Sequence, residues 1–203
     1  MRSAAIAAIA GMTVMAWACN AVAQEVPASP PVVAVLVSNR ANLRPEMLQA
    51  AEDDAATIYR VAGVQMTWVN VRPTDVGYDY AVDFIVMIVA GKEAVRMAAR
   101  SGQDAMGLAV RDSNDEAGRG GMAFVLFDRV EDNASSHHVS ISRVLGQVIA
   151  HELGHLLLPA NSHSERGIMR AVWNLRSGLL EYFTTAQAEM IRRQLAPRLG
   201  SPP

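Results

Sequence analysis

The chain has 203 residues, 51% of them hydrophobic, and its 18 basic and 20 acidic residues give a formal net charge of −2. It contains no basic run and no alternation of basic with aromatic residues, so the composition argues against a nucleic acid or an anionic membrane surface as a partner. The length suits one domain with a hydrophobic core of its own.

The first 23 residues have the pattern of a secretory signal peptide. Arg2 is followed by the apolar run Ala4–Ala18 and by a small-x-small cleavage site at positions 21–23. The apolar run is too short for a membrane span. We therefore expect an exported protein, periplasmic or extracellular, that is not inserted in a membrane after cleavage. Cleavage would also remove Cys19, the only cysteine, so the mature chain would form no disulfide.

The rest of the chain predicts one mixed α/β domain. Residues 24–31, with three prolines, predict a short extended linker before a single domain at 32–203. Five apolar segments predict strands: Val32–Ser38, Val64–Val71, Asp83–Val89, Met106–Arg111 and Met122–Val130. Three segments predict helices: Pro45–Val61, Lys92–Arg100 as a short helix or turn, and Thr184 or Thr185 to about Leu195. The order of the first three strands and the helix implies a βαβ crossover and a mostly parallel sheet.

Ser135–His138 predicts a polar connection between the last strand and a further helix. That helix is expected to begin at a cap formed by Ser140 or Ser142 and to end near Leu158. His137 and His138 fall in the connection, where adjacent histidines are more often exposed than bound to a metal.

The predicted helix carries the sequence H-E-x-x-H. His151 and His155 lie four residues apart on one helical face, so both imidazoles can reach one metal ion. Glu152 would then point toward a water molecule on that metal. Neutral imidazole is a good ligand for zinc, and a catalytic zinc needs three protein ligands and one open position. The motif supplies two of these ligands.

His163, eight residues after His155, is the predicted third ligand. Pro159 disfavours helical geometry in the residue before it, so the helix should end there and allow the chain to turn back. Glu165, which is close in sequence, and Glu181, on a later segment, are the alternatives.

Together with Met169, which stands six residues past His163, this stretch resembles the metzincin family of zinc peptidases. The family pattern is H-E-x-x-H-x-x-G-x-x-H, followed by a methionine turn beneath the metal. The resemblance implies that His151, His155 and His163 bind the zinc, that Glu152 is the general base and that Met169 belongs to the turn. Here the connection to the third histidine is two residues longer than in the family pattern.

The resemblance also implies a fold and a function. The fold is an α/β (α+β) zincin-like catalytic domain: a twisted, mostly parallel five-stranded sheet with an antiparallel edge strand, an active-site helix and a small C-terminal helical subdomain. The edge strand would pair with an extended substrate through residues Gly107, Leu108, Ala109 and Val110. Trp173 is expected to pack in the core or to line a specificity pocket.

The expected function is that of a secreted zinc endopeptidase with one catalytic zinc ion, acting as a monomer on protein or peptide substrates. Its alternative is a catalytically inactive exported domain that binds zinc and holds a peptide at the edge strand.

Overall fold

The computed structural model describes residues 29–71, 82–100, 105–111, 120–175 and 178–196. The predicted signal peptide, most of the predicted linker and most of the polar loop after Arg111 lie outside the described residues. No helix among the described residues is long and apolar enough to span a membrane.

Five strands form one sheet in the order β2-β1-β3-β5-β4. Their bounds are β1 (Val32–Asn39), β2 (Gln65–Val71), β3 (Phe84–Val89), β4 (Gly107–Arg111) and β5 (Gly121–Leu126). β1 pairs in parallel with β2 and β3, and β3 pairs in parallel with β5. β4 pairs antiparallel with β5 and lies at the edge of the sheet. The structure thus confirms the mostly parallel sheet with an antiparallel edge strand.

Five helices accompany the sheet: α1 (Pro45–Val61), α2 (Gly91–Ala98), α3 (Phe127–His137), α4 (Ile141–Leu157) and α5 (Thr185–Leu195). The bounds of α1 are those predicted from the sequence, with Pro45 at the start of the helix. α5 begins with a capping box in which Thr184 and Gln187 each bond the backbone N–H of the other, at 3.3 and 3.0 Å.

α4 is buried along nearly its whole length, from Val144 to Leu157. It packs against α1 so closely that a Cβ atom placed on Gly146 would lie 2.5 Å from the carbonyl oxygen of Ala51. Tyr59 of α1 is fully buried and donates a hydrogen bond to the carbonyl of Ala150 at 3.1 Å. These contacts fix the helix that carries the histidine motif within the core.

The prediction was wrong between residues 127 and 138. β5 ends at Leu126, and α3 follows it directly in place of the expected strand end and polar loop. No glycine or proline marks this junction, and the apolar run of the strand extends to Phe127, the first residue of the helix. Val130 and Ala134 are both fully buried at helical spacing. His137 is the last residue of α3, and His138 caps the helix with a left-handed φ of 55°.

A buried carboxyl group lies in α1 away from the histidines. Glu52 is only 1% exposed, and its Oε2 accepts a hydrogen bond from Asn70 at 3.4 Å. Its Oε1 has no hydrogen-bond partner among the described residues. Burial raises the pKa of Glu52 from 4.5 to about 7, with a smaller contribution from Asp53 and an opposing one from the Asn70 hydrogen bond.

Replacing Glu52 with glutamine should change how stability depends on pH. Because folding raises the pKa of Glu52 from 4.5 to about 7, the native state holds this proton more tightly than the unfolded state. The contribution of Glu52 to the free energy of unfolding should therefore fall by roughly 3 kcal/mol as the pH rises through that range, and this contribution is the difference between the wild type and Glu52→Gln. Glu52→Gln has no carboxyl group to ionise at this position, so it should lack this pH-dependent loss. It should therefore be more stable than the wild type at a pH above about 7.

The measurement is urea unfolding of both proteins across that pH range. Glu46→Gln, which removes an exposed carboxylate from the same helix, is the control and should follow the wild type. Parallel pH profiles for the wild type and Glu52→Gln would show that Glu52 does not fold as a buried carboxyl group.

Candidate metal centre

Three histidine side chains converge at the surface of α4. His151 and His155 lie on one face of the helix, and His163 approaches from the segment that follows it. Nε2 of His155 lies 3.0 Å from Nε2 of His151 and 3.1 Å from Nε2 of His163. Tetrahedral ligands at normal zinc–nitrogen distances are about 3.3 Å apart. The ring nitrogens therefore stand at nearly the spacing that one metal ion requires.

The path to His163 follows from the residues after the helix. Leu158 caps α4 in an extended conformation, with φ −104° and ψ 157°, as the following proline requires. Its side chain is 1% exposed and anchors the turn in the core. Asn161 then adopts a left-handed φ of 60°, which asparagine tolerates better than most residues. The chain thereby reverses and presents His163 to the two helical histidines.

Each helical histidine has a partner for its other ring nitrogen. Nδ1 of His151 donates to the carbonyl oxygen of Ile168 at 2.8 Å, which leaves Nε2 with its lone pair toward the other histidines. Nδ1 of His155 lies 3.1 Å from the hydroxyl of Ser162. Partners of this kind fix the tautomer and orientation of metal-binding imidazoles.

Trp173 supports the same arrangement. Its indole N–H donates to the carbonyl of Ile168 at 3.0 Å, and its ring lies edge-on to His151 with centroids 5.3 Å apart. The side chain is half-buried and lines the cleft described below. Trp173 also packs against the hydrophobic core, so the structure bears out the expected core packing and places the same side chain on the cleft wall.

The donor set fits a divalent transition metal. Burial, opposed by the Ile168 hydrogen bond, lowers the pKa of His151 to about 4, and burial together with nearby positive charges lowers the pKa of His155 to about 4. Both rings are therefore neutral near pH 7 and offer lone pairs rather than hydrogens to one another. Zinc is a cation that neutral imidazoles bind readily, and three such ligands leave its fourth position open.

Glu152 reaches the same site from beneath β4. Its side chain is 6% exposed, and a Cβ atom placed on Gly107 would lie 2.5 Å from its Cγ and overlap its carboxylate. Only glycine at this position lets the strand pass so close to Glu152. Burial raises the pKa of Glu152 to about 8, and a cation bound by the adjacent histidines would lower it. Sequence reasoning placed Gly107 in the edge strand but missed this contact, for which a glycine at a strand start is the only signal.

Met169 lies on the other side of the motif. It is fully buried, and its Sδ would lie 2.6 Å from a Cβ atom placed on Gly154, between the two helical histidines. Gly167, just before it, has a left-handed φ of 78° and no room for a Cβ atom against the carbonyl of Tyr182. The methionine thus packs directly against the backbone of the histidine helix.

A cleft of about 670 Å³ opens over the three histidines and Glu152. Gly107, Leu108 and Ala109 of the edge strand line it, whereas Val110 does not. Further lining residues come from α3 and from the segment after Met169: Asn133, His137, Arg170, Ala171, Val172 and Trp173.

Arg111 joins the edge strand to the end of the motif helix. Its Nε and Nη2 donate to the carbonyl of His155 at 3.1 and 2.6 Å, and Nη2 also donates to the carbonyl of Leu158. A cation at a helix C-terminus satisfies carbonyl groups that lack helical partners. The arginine therefore holds β4 alongside α4 at the site.

The other candidate ligands stand apart from the cluster. Among the described residues, the group able to hold a metal consists of the three histidines, without Glu165 or Glu181. His137 faces the cleft, but its Nδ1 lies 2.9 Å from the carbonyl of Asn133 and it is not part of the group. His138 is exposed and is not part of the group either.

Comparison with known proteins identifies the fold. No protein-family model and no curated protein matches the chain. The chain is similar in structure to metalloproteinase-II from Bacteroides fragilis, with a TM-score of 0.50 and 11% sequence identity. The likeness covers 83% of this chain and 54% of that one, so the chain spans about half the length of that protein. At this identity the likeness shows the fold alone, which is the mixed α/β fold of a metalloproteinase.

Proposed function

We propose that the chain is an exported zinc-dependent endopeptidase. His151, His155 and His163 hold one zinc ion, and Glu152 is the general base. The observation that carries this proposal is the convergence of three Nε2 atoms in a cleft that also contains Glu152. The metalloproteinase-like fold supports the same reaction class but does not by itself assign it.

When bound, the zinc ion would supply Lewis acidity, polarising the scissile carbonyl and lowering the pKa of water to about 7. Glu152 takes a proton from the attacking water and returns it to the leaving amine. The Glu152 side chain is packed between the backbone of α4 and Gly107, and this packing keeps its carboxylate in one place beside the reacting groups.

The edge strand supplies a place for the peptide. β4 pairs only with β5 among the described strands, and its residues Gly107–Ala109 line the cleft. An extended peptide can add to such an edge through backbone hydrogen bonds, largely independently of its sequence. Arg111 keeps this strand beside the metal by binding the end of α4.

Met169 has a supporting role in this proposal. Its sulfur packs against Gly154 between the two helical histidines, and this contact supports the proposal that Met169 belongs to a methionine turn. This contact would keep α4, with His151 and His155, at a fixed distance from the segment that carries His163.

Glu152→Gln should abolish turnover and leave zinc binding in place. Glutamine cannot accept the proton, so kcat/KM on a mixed peptide library should fall by roughly 10²- to 10⁴-fold. Zinc content of the purified variant should match that of the wild type. Glu165→Gln, an exposed carboxylate next to the third histidine in sequence, is the matched control and should keep full activity.

Equal turnover by Glu152→Gln and the wild type would contradict the assigned base. A wild type that binds zinc but cleaves nothing would favour the inactive peptide-binding alternative.

Gly107→Ala should impair catalysis by displacing Glu152. The added methyl group overlaps the Glu152 side chain, and a displacement of about 1 Å at a catalytic group can cost roughly 100-fold in rate. We expect kcat to fall while zinc content is unchanged. Gly121→Ala, on the neighbouring strand, is the control, because its methyl group would meet Leu156 and the carbonyl oxygen of Val110 and no catalytic side chain. Wild-type kcat in Gly107→Ala would show that Glu152 does not need its present position.

A further inference from the structure

The walls of the cleft are more basic than the protein as a whole. Arg100, Arg111 and Arg170 line it, and the acidic side chain among its described lining residues is Glu152. The whole chain carries a formal net charge of −2. The basic character is therefore a local property of the cleft, where it raises the local concentration of anionic groups.

Arg170 is the arginine best placed to bind a ligand. It directly follows Met169 and is half-buried, and its backbone N–H donates to the carbonyl of Gly167 at 3.1 Å. The ion pairs of the described residues are formed by Arg40, Arg143 and Arg193, so Arg170 has no carboxylate partner among them. A half-buried guanidinium loses part of its hydration, and no carboxylate of the described residues compensates for this loss at Arg170.

The two other arginines differ in what they can offer. Arg111 already donates from Nε and Nη2 to the carbonyls of His155 and Leu158, so three of its five N–H donors are used within the protein. Arg100 is exposed and lies just past the end of α2. Its charge is screened by solvent and acts on a ligand mainly at a distance.

We propose that the cleft selects peptides with an acidic side chain close to the scissile bond, and that Arg170 binds this carboxylate. The proposal rests on the proposed peptidase function. A guanidinium matches a carboxylate with two parallel hydrogen bonds, and partial burial protects such a pair from salt. Arg100, an exposed residue of the cleft lining, adds longer-range attraction. Recognition by the edge strand stays independent of sequence, so Arg170 supplies the selectivity.

Paired peptides that differ only in glutamate or glutamine at each position flanking the scissile bond test this assignment. The wild type should cleave one glutamate peptide with a kcat/KM roughly tenfold above that of its glutamine partner. Arg170→Gln should remove the preference, Arg170→Glu should reverse it toward a lysine peptide, and Arg170→Lys should keep part of it. Arg100→Gln should weaken it only about twofold, and more so at low salt.

Two arginines serve as matched controls. Arg166 lies four residues before Arg170, and Arg96 lies four residues before Arg100. Both are exposed, and neither lines the cleft. Arg166→Gln and Arg96→Gln should keep the wild-type preference. A preference that survives in Arg170→Gln, or equal rates on the paired peptides in the wild type, would overturn the proposal.

A binding measurement separates this proposal from the proposed function. Fluorescence anisotropy measures the affinity of the labelled peptides and needs no turnover. The two proteins are Glu152→Gln and the double variant that also carries Arg170→Gln, both with added zinc. Glu152→Gln should bind a glutamate peptide roughly tenfold more tightly than its glutamine partner, and this difference should disappear in the double variant. That result supports the proposal even where the wild type cleaves nothing. Equal binding of the paired peptides to Glu152→Gln would refute it even where the wild type is an active peptidase.

Discussion

The close packing around the histidine helix is the constraint on which the site depends. α4 is buried almost throughout, and neighbouring groups approach it at distances that leave no room for a Cβ atom at several points. α1 crosses it at Gly146, the methionine after the motif lies against Gly154, and Glu152 itself lies against Gly107 of the edge strand. Because these contacts come from different parts of the chain, the position of His151 and Glu152 is fixed from several sides. A helix held in this way can present its ligands with little rearrangement.

The same burial determines the ionisation of the site. It lowers the pKa of His151 and His155 and raises the pKa of Glu152, so the protein alone favours neutral forms of all three groups. A divalent cation stabilises both the neutral imidazoles as ligands and the ionised carboxylate beside them. Metal binding and ionisation of Glu152 are therefore coupled, and a bound metal should also stabilise the folded chain.

Much of the fold could be read from local signals in the sequence. Pro45 fixed the start of the first helix, continuous apolar runs indicated buried parallel strands, and Pro159 indicated the turn that presents the third histidine. The helix after β5 was missed because no glycine or proline separates the strand from the helix, and the predicted strand included Phe127 and Val130. The contact of Gly107 with Glu152 and the basic lining of the cleft could not be predicted, since both depend on which segments meet in three dimensions.

We propose that three histidines, two from α4 and one from the following segment, bind one zinc ion. Elemental analysis of the purified wild type and of His163→Ala, each after reconstitution with zinc, tests it most directly. We expect about one zinc per chain in the wild type and loss of most of it in the variant, because two ligands bind zinc far more weakly than three. A wild type without zinc, or a variant that holds zinc as tightly as the wild type, would contradict it.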